Sequence, residues 1–259
     1  MRSILVTADK SVTLDDRVET ALALAREFDG HATFQIATPF AELALWEPFG
    51  GAAITAEAIN QVRESDEKLA TDLDVRLARQ DVAFDVVVVD EGRASGIAAA
   101  SRFADLIVTS LEDPALEEIA LGTRSPVLAL PSGKPLLELN VPVLVSWDGG
   151  QEAAAALRAA VPLLQRAASV HLLTVREKAD SYPAGDAAEY LSRHGIHAEC
   201  HEVERNGSIA HTIADQASGL GAGLVVMGLF GKSRLRELLL GGVSRELLDT
   251  AQLPLFLAH

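Results

Sequence analysis

A length of 259 residues allows one large domain or two of ordinary size, and 49% hydrophobic with 23% charged residues indicates a chain that folds around a core. The net charge of −15 argues against nucleic acid and anionic membranes as partners, because both would repel an acidic surface. The single cysteine, Cys200, excludes an intramolecular disulfide, and because we find neither a signal-like apolar core nor a membrane-length apolar run, we expect a cytoplasmic protein.

The first half of the chain begins with alternating strand and helix patterns. Residues 3–11 (SILVTADKS) form a short apolar run that ends at Asp9, which is typical of a buried strand leading into a turn. A helical pattern at 17–30 (RVETALALAREFDG) and a second strand at 31–38 (HATFQIAT) follow. These features predict the start of an α/β domain.

An additional segment follows the second strand, from residue 39 to residue 80. Its second half has the apolar spacing of an amphipathic helix. We interpret Trp46 and Phe49, in its first half, as residues that pack in the core or between repeats, since large aromatic side chains are buried more often than they stack on ligands.

The second half of the chain repeats this order. PVLVSWDGG at 142–150 corresponds to SILVTADKS and again places an acidic residue, Asp148, after a buried strand. A helical pattern and the strand SVHLLTV at 169–175 follow. Further along, ADLIVTS at 104–110 corresponds to AGLVVMG at 222–228.

The repeats end alike, with SPVLALP in the first and LPLFLAH in the second. Each repeat therefore reads as five strands alternating with four helices. Strands without polar alternation belong in parallel sheets covered on both faces, so we predict two tandem α/β domains with doubly wound parallel sheets. Proline and glycine in PSGKPLLELN place the boundary near residue 137, which gives repeat 1 as residues 1–137 and repeat 2 as residues 138–259.

A glycine-rich segment, GLFGKSRLRELLLGG at 228–242, follows a predicted strand of repeat 2. Its Gly231-Lys232-Ser233 resembles a fragment of a Walker loop, but Val226 stands where that loop needs its first glycine. The glycines lie just beyond a parallel strand, at the sheet edge where α/β folds bind ligands.

The segment around Gly241 could bind phosphate. Gly241 would end a short helix, SRLRELLL, and the next helix, VSRELLDTAQ, would begin with free backbone amides that face the loop. Lys232, Arg234 and Arg236 add local positive charge. The alternative is that the glycines only shape a tight loop.

The spacing of Gly228, Gly231 and Gly241 resembles the universal stress protein family, whose nucleotide-binding members have Gly, two residues, Gly, nine residues, then Gly followed by Ser, Thr or Asn. The resemblance covers the chain as two tandem copies. It implies two flavodoxin-like (Rossmann-like) domains that form an intramolecular pseudo-dimer in which SPVLALP pairs with PLFLAH. A homodimer of the chain is also compatible with it.

The resemblance further implies ATP or a related adenine nucleotide in repeat 2, with Mg²⁺ accompanying it. Asp148 would lie near the base and ribose, and Val175 near the adenine. The residues expected to bind the nucleotide are Trp147, Asp148, Val175, Gly228, Gly231, Lys232, Gly241, Gly242, Val243 and Ser244.

One position departs from the family pattern. Gly242 stands where the family has a hydroxyl or amide residue, so a side-chain hydrogen bond to phosphate is missing while the backbone amide remains. A hydrogen bond to a charged group contributes about 1.5–3 kcal/mol, enough to lower affinity by roughly tenfold or more without removing the site.

Repeat 1 lacks the phosphate loop. Only SLEDPALEEIALGTRS lies between its fourth and fifth strands, and its carboxylates Glu112, Asp113, Glu117 and Glu118 would repel an anion. We therefore expect no nucleotide in repeat 1 and interpret Asp9 as a turn residue.

RHGIHAECHE at 193–202 has residue types that suit zinc: His194, His197, Cys200 and His201. Gly195 should end a helix before a strand, and along that strand His197 and His201 would lie about 13 Å apart with Cys200 on the other face. We therefore expect no metal site here, but a surface strand with a buried cysteine.

Three functions stay open on the sequence. We favour a nucleotide-binding regulatory or stress-response protein without catalytic residues. One alternative is a structural or partner-binding stress protein without nucleotide, and another is a slow ATP-hydrolysing enzyme. Neither a nucleophile elbow nor a dinucleotide fingerprint is recognisable in the sequence.

Overall fold

The computed structural model describes residues 1–38, 56–176, 183–229 and 242–259. Five strands alternate with helices in each half of the chain, so the predicted element order is confirmed. The chain divides into two compact units. Unit 1 contains Met1–Thr109 and Asp113–Ser125, and unit 2 contains Ser110–Glu112 and Pro126–His259.

Unit 1 is built on four strands: β1 (Ser3–Ala8), β2 (His31–Ala37), β3 (Ala83–Val89) and β4 (Leu106–Ser110). Their order is β3-β2-β1-β4 with parallel neighbours. Its helices are α1 (Leu14–Phe28), α2 (Ala56–Leu77), α3 (Arg93–Ala100) and α4 (Leu116–Gly122). All four strands end at the same edge of the sheet, which we call the carboxyl edge of unit 1.

Unit 2 is built on six strands: β5 (Val127–Leu130), β6 (Pro142–Ser146), β7 (Ser169–Arg176), β8 (Ala198–Glu204), β9 (Leu224–Gly228) and β10 (Leu255–Ala258). Their order is β5-β10-β9-β6-β7-β8. Its helices are α5 (Gln151–Leu164), α6 (Ala184–Arg193), α7 (Ile209–Gly219) and α8 (Gly242–Thr250). The strands from β6 to β10 are parallel and define the carboxyl edge of unit 2.

The central strands carry the core. Every residue of β4, β5 and β10 is buried, and all of them except Thr109 and Ser110 are apolar, as is typical of strands covered on both faces. Helix α5 adds small side chains, among them Ala156 and Ala160, which are fully buried. Small residues on this helix let it lie close to the sheet, and this closeness shapes the site described below.

The final strands of the two repeats pair, as the sequence analysis predicted. β5 and β10 are antiparallel, with Leu128 opposite Phe256. Although β5 belongs to repeat 1 by sequence, it is part of compact unit 2. The repeat boundary near residue 137 stays a prediction, because the two compact units are defined by contacts in the structure and not by the repeated sequence.

Cys200 corrects one expectation, since its side chain is exposed and not buried. It lies on β8, which is at the end of the strand order in unit 2 and is only partly covered. Because an edge strand has a neighbour on one side only, its side chains have fewer cross-strand neighbours on each face than those of a central strand.

Some predictions concern residues that the structure does not describe. Trp46, Phe49, Gly231, Lys232 and Gly241 all lie outside the described residues. The amphipathic helix predicted in the additional segment is confirmed as α2. Among the described helices, none combines the length and apolarity needed to cross a bilayer.

Candidate functional site

Asp148 lies at the carboxyl edge of unit 2, two residues beyond the end of β6. Its Oδ1 accepts a hydrogen bond of 2.8 Å from the backbone N–H of Gly150, in a turn where Gly149 has a φ of 75°. Its Oδ2 has no hydrogen bond to any residue in the described ranges. Asp148 therefore offers a carboxylate oxygen to a ligand at this edge.

Trp147 lies between β6 and Asp148, but its indole is buried. The side chain is 7% exposed, and the backbone N–H donates to the carbonyl of Leu173 over 2.8 Å. Trp147 thus continues the pairing of β6 with β7. Any part that it takes in a ligand site would come from its backbone.

Gly228 ends β9 directly against the first turn of α5. A Cβ at this position would lie 2.4 Å from the carbonyl carbon of Glu152 and 2.5 Å from the backbone N of Ala153. Both are backbone atoms and cannot rotate away, so only glycine fits. This packing alone is a sufficient reason for a glycine at position 228. At this position the alternative interpretation, that the glycines only shape a tight loop, needs no ligand.

The N-terminal end of α8 begins at Gly242. The backbone N–H groups of Gly242, Val243 and Ser244 belong to the first turn, where a helix has no acceptors of its own for them. A Cβ at Gly242 would meet no atom within 4 Å. The Oγ of Ser208, at the start of α7, donates to the Glu246 carboxylate and so ties the two helices together.

β7 reaches the same edge. Val175 is half-buried near its end, and the preceding residue, Thr174, is buried. The Oγ1 of Thr174 has no hydrogen-bond partner within the described part of the chain. A buried hydroxyl without a partner is uncommon, because its desolvation costs about 1–3 kcal/mol.

The carboxyl edge of unit 1 differs sharply, because charged side chains fill it. Arg17, on the buried face of α1, is fully buried. Its Nη2 donates to Asp9 over 2.6 Å and to the Oγ of Ser11 over 2.7 Å, and its Nη1 donates to the Oγ1 of Thr7 over 2.8 Å. Asp9, which follows β1 as Asp148 follows β6, is therefore bound to its own chain.

A second arginine completes this network. Arg93, at the start of α3, lies 2.9 Å from Asp9 and 3.2 Å from Asp113. The other carboxylate oxygen of Asp113 accepts a 3.1 Å hydrogen bond from Thr109, which in turn accepts one of 2.9 Å from Thr7. Asp113, which we expected to repel an anion, is paired with Arg93.

Asp66 of α2 also lies at the carboxyl edge of unit 1. It is buried, it pairs with the Nζ of Lys10 over 2.6 Å, and it accepts a 3.0 Å hydrogen bond from Thr38. Asp66, Lys10 and Thr38 thus satisfy one another.

These contacts lower the pKa of the Asp9 carboxyl. Burial alone would raise its pKa, but hydrogen bonds and the charge of Arg17, with the hydrogen bonds of Ser11, outweigh burial and hold the pKa at about 2. Asp9 also accepts from the Ser11 N–H over 2.9 Å, as its predicted role as a turn residue requires. We did not predict these ion pairs from the sequence. Their signal is Arg17 itself, a charged residue on the apolar stripe of α1 with Ala21 and Leu24.

The comparisons with known proteins address family and fold. Residues 141–259 match the model of the universal stress protein family. Residues 141–259 therefore belong to the universal stress protein family. No curated protein sequence matches the chain.

Solved structures extend the likeness to the whole chain. A universal stress protein from Archaeoglobus fulgidus DSM 4304 superposes with a TM-score of 0.77 at 16% identity, over 98% of this chain and 97% of that one. A protein of unknown function from Pseudomonas aeruginosa PAO1 gives a TM-score of 0.61 at 17% identity, over 100% and 92% of the two chains. At these identities the likeness concerns the fold, and it supports the tandem flavodoxin-like arrangement of this universal stress protein.

Proposed function

We propose that this universal stress protein binds one adenine nucleotide, ATP or a close relative, at the carboxyl edge of unit 2 and acts in regulation or the stress response. The observation that carries the proposal is the contrast between two equivalent aspartates. Asp148 has an oxygen that no described residue engages, whereas Asp9 is held by Arg17 and Arg93.

The described residues around Asp148 fit such a ligand. The free carboxylate oxygen can accept hydrogen bonds from ribose hydroxyls, and the amides at the start of α8 can donate to phosphate oxygens. The unpartnered Thr174 hydroxyl supplies a further polar group on β7. Mg²⁺ would accompany the phosphates, as hard cations do with nucleotides.

The stoichiometry follows from unit 1. Its carboxyl edge is filled by the Arg17 and Arg93 network, and a nucleotide there would have to break ion pairs with a buried partner. One nucleotide per chain is therefore expected.

Isothermal titration calorimetry with Mg²⁺ and ATP tests the proposal. We expect one site per chain and about tenfold weaker binding in Asp148→Asn, the loss expected for a hydrogen bond to a charged group. Asp9→Asn is the matched control and should leave binding unchanged. Two sites, no binding, or equal loss in both variants would contradict the proposal.

A partner-binding protein without nucleotide is the second candidate, because close packing already explains Gly228. Mass spectrometry of denatured, freshly purified protein separates the two by the presence or absence of an adenine compound. Slow hydrolysis would appear as turnover that disappears in Asp148→Asn.

A further inference from the structure

Three metal-ligating side chains meet on the sheet of unit 2: His171 of β7, and Glu199 and His201 of β8. The strand register places His171 opposite Glu199, and His201 lies two residues further along the same strand. Since alternate residues share a face, all three lie on the same face of the sheet. We call them the His171 cluster.

The cluster has the dimensions of a metal site. The Nδ1 of His171 lies 3.0 Å from the Nε2 of His201 and 3.5 Å from the Oε2 of Glu199, and the remaining distance, from His201 to Glu199, is 3.8 Å. A point equidistant from three atoms so arranged is about 2.0 Å from each, which matches Zn–N and Zn–O bonds of about 2.0–2.2 Å.

The surroundings of His171 suit ligation. Its side chain is 9% exposed, and its Nε2 lies 2.9 Å from the Oγ of Ser169. Donation from Nε2–H to this hydroxyl leaves a lone pair on Nδ1, the atom that faces the other two ligands. Metal-binding histidines are characteristically oriented by such an outer hydrogen bond.

We propose that the His171 cluster binds a divalent transition-metal ion, with zinc as the best match of donor types. Two imidazoles and one carboxylate form a recognised three-ligand zinc set that leaves a fourth position open. Glu199 is exposed and His201 is half-buried, so water or a further ligand can reach that position.

The cluster is separate from the proposed nucleotide site. His171 is the third residue of β7, four residues before Val175, which corresponds to about 13 Å along a strand. His171 lies outside RHGIHAECHE on the neighbouring strand, so the register of β7 with β8, and not the spacing within that segment, brings it close to His201.

Titration of the full chain with Co²⁺ and Zn²⁺, after removal of bound metal by a chelator, tests the inference. We expect one ion per chain, with cobalt giving visible absorption of tetrahedral type. His201→Gln changes a half-buried residue and should lower affinity by more than the roughly 10- to 100-fold that loss of an outer-shell partner costs. His171→Gln should do the same.

Two matched controls complete the design. His197→Gln removes an exposed imidazole just before β8, and Cys200→Ser removes the only thiol, so both should leave affinity unchanged. The inference is overturned if micromolar ion does not bind, if His201→Gln binds as tightly as the parent protein, or if Cys200→Ser abolishes binding. Because these readouts involve metal alone, failure here is distinct from failure of nucleotide binding.

Discussion

At the scale of single residues, Asp9 and Asp148 follow the first strands of their repeats and yet differ in state. Asp9 pairs with Arg17 and Arg93, while Asp148 engages only a turn N–H among the described residues. The difference comes from the helices that follow. Helix α1 carries Arg17 on its buried face, whereas the buried face of α5 is made of alanine, leucine and valine.

Arg17→Met should destabilise the protein by about 3 kcal/mol or more, because it leaves the partly buried Asp9 with Arg93 as its one remaining counter-charge and removes the hydrogen bonds that Arg17 donates to Thr7 and Ser11. Urea unfolding followed by circular dichroism measures this effect. Arg26→Met is the control, since Arg26 pairs with exposed Asp81 and should change stability by no more than about 1 kcal/mol. Equal losses of stability in both variants would show that the buried ion pair stabilises the protein no more than the exposed one.

The Asp9 pKa predicts a pH dependence. Because its folded pKa of about 2 is below the ordinary value of 3.8, Asp9 stabilises the fold above pH 4, and this contribution is lost as the pH falls from about 4 to about 2. The shift corresponds to about 2 kcal/mol. The stability difference between parent and Asp9→Asn should therefore shrink over this range. Asp29→Asn, at an exposed position, is the control and should leave the pH dependence of stability unchanged. A pH dependence for Asp9→Asn that is identical to that of the parent protein would refute the prediction.

Gly242→Ser should tighten ATP binding by up to about tenfold, since it restores a hydroxyl at the start of α8 and a Cβ there meets no atom within 4 Å. Calorimetry measures the change, with Gly219→Ser, at another uncrowded glycine, as the control. Unchanged binding would mean that phosphate does not reach this turn. The prediction depends on the proposed function.

At the scale of elements, the contact between β9 and α5 determines how closely a helix approaches the carboxyl edge of unit 2. Gly228 has no side chain, which allows the backbone at Glu152 to come near. The buried alanines of α5 have the same effect along the rest of the helix. The proximity of Asp148 to the start of α5 therefore depends on small residues in both elements.

Gly228→Ala should destabilise the protein by about 1–3 kcal/mol, because its Cβ would overlap backbone atoms that cannot repack. Gly185→Ala is the matched control. Gly185 lies within α6 with nothing within 4 Å of an added Cβ, so alanine should be neutral or stabilising by up to about 1 kcal/mol. Thermal unfolding compares the two, and a neutral Gly228→Ala would show that the strand end can move away.

At the scale of the whole molecule, the last strand of repeat 1 becomes part of unit 2. β5 covers the edge of β10, and Lys134 in the following segment donates to the carbonyl of Gln252 over 2.7 Å. A fragment cut at the repeat boundary would therefore lose a strand that unit 2 needs. An unpaired edge strand invites pairing with another chain.

A fragment of residues 138–259, which lacks β5, should self-associate through the uncovered edge of β10. Light scattering after size exclusion measures its mass, and the full chain at the same concentration is the control. The prediction fails if the fragment stays monomeric at high concentration.

The sequence by itself determined the order of elements, the repetition, the pairing of the last strands through family resemblance, and the place of Asp148. The order of elements and the repetition rest on apolar periodicity within short stretches, which any chain of this pattern carries before it folds. The same local patterns led to the wrong prediction that Cys200 is buried, because they do not distinguish an edge strand from a central one.

Only the tertiary structure decided which side chains meet. Arg17 lies close in sequence to Asp9, but Arg93 reaches that carboxylate only through the sheet order, and His171 meets His201 only through the register of β7 with β8. Contacts between neighbouring strands join residues tens of positions apart, and their register is set when two strands bury their apolar faces together, which the pattern of either strand alone does not specify.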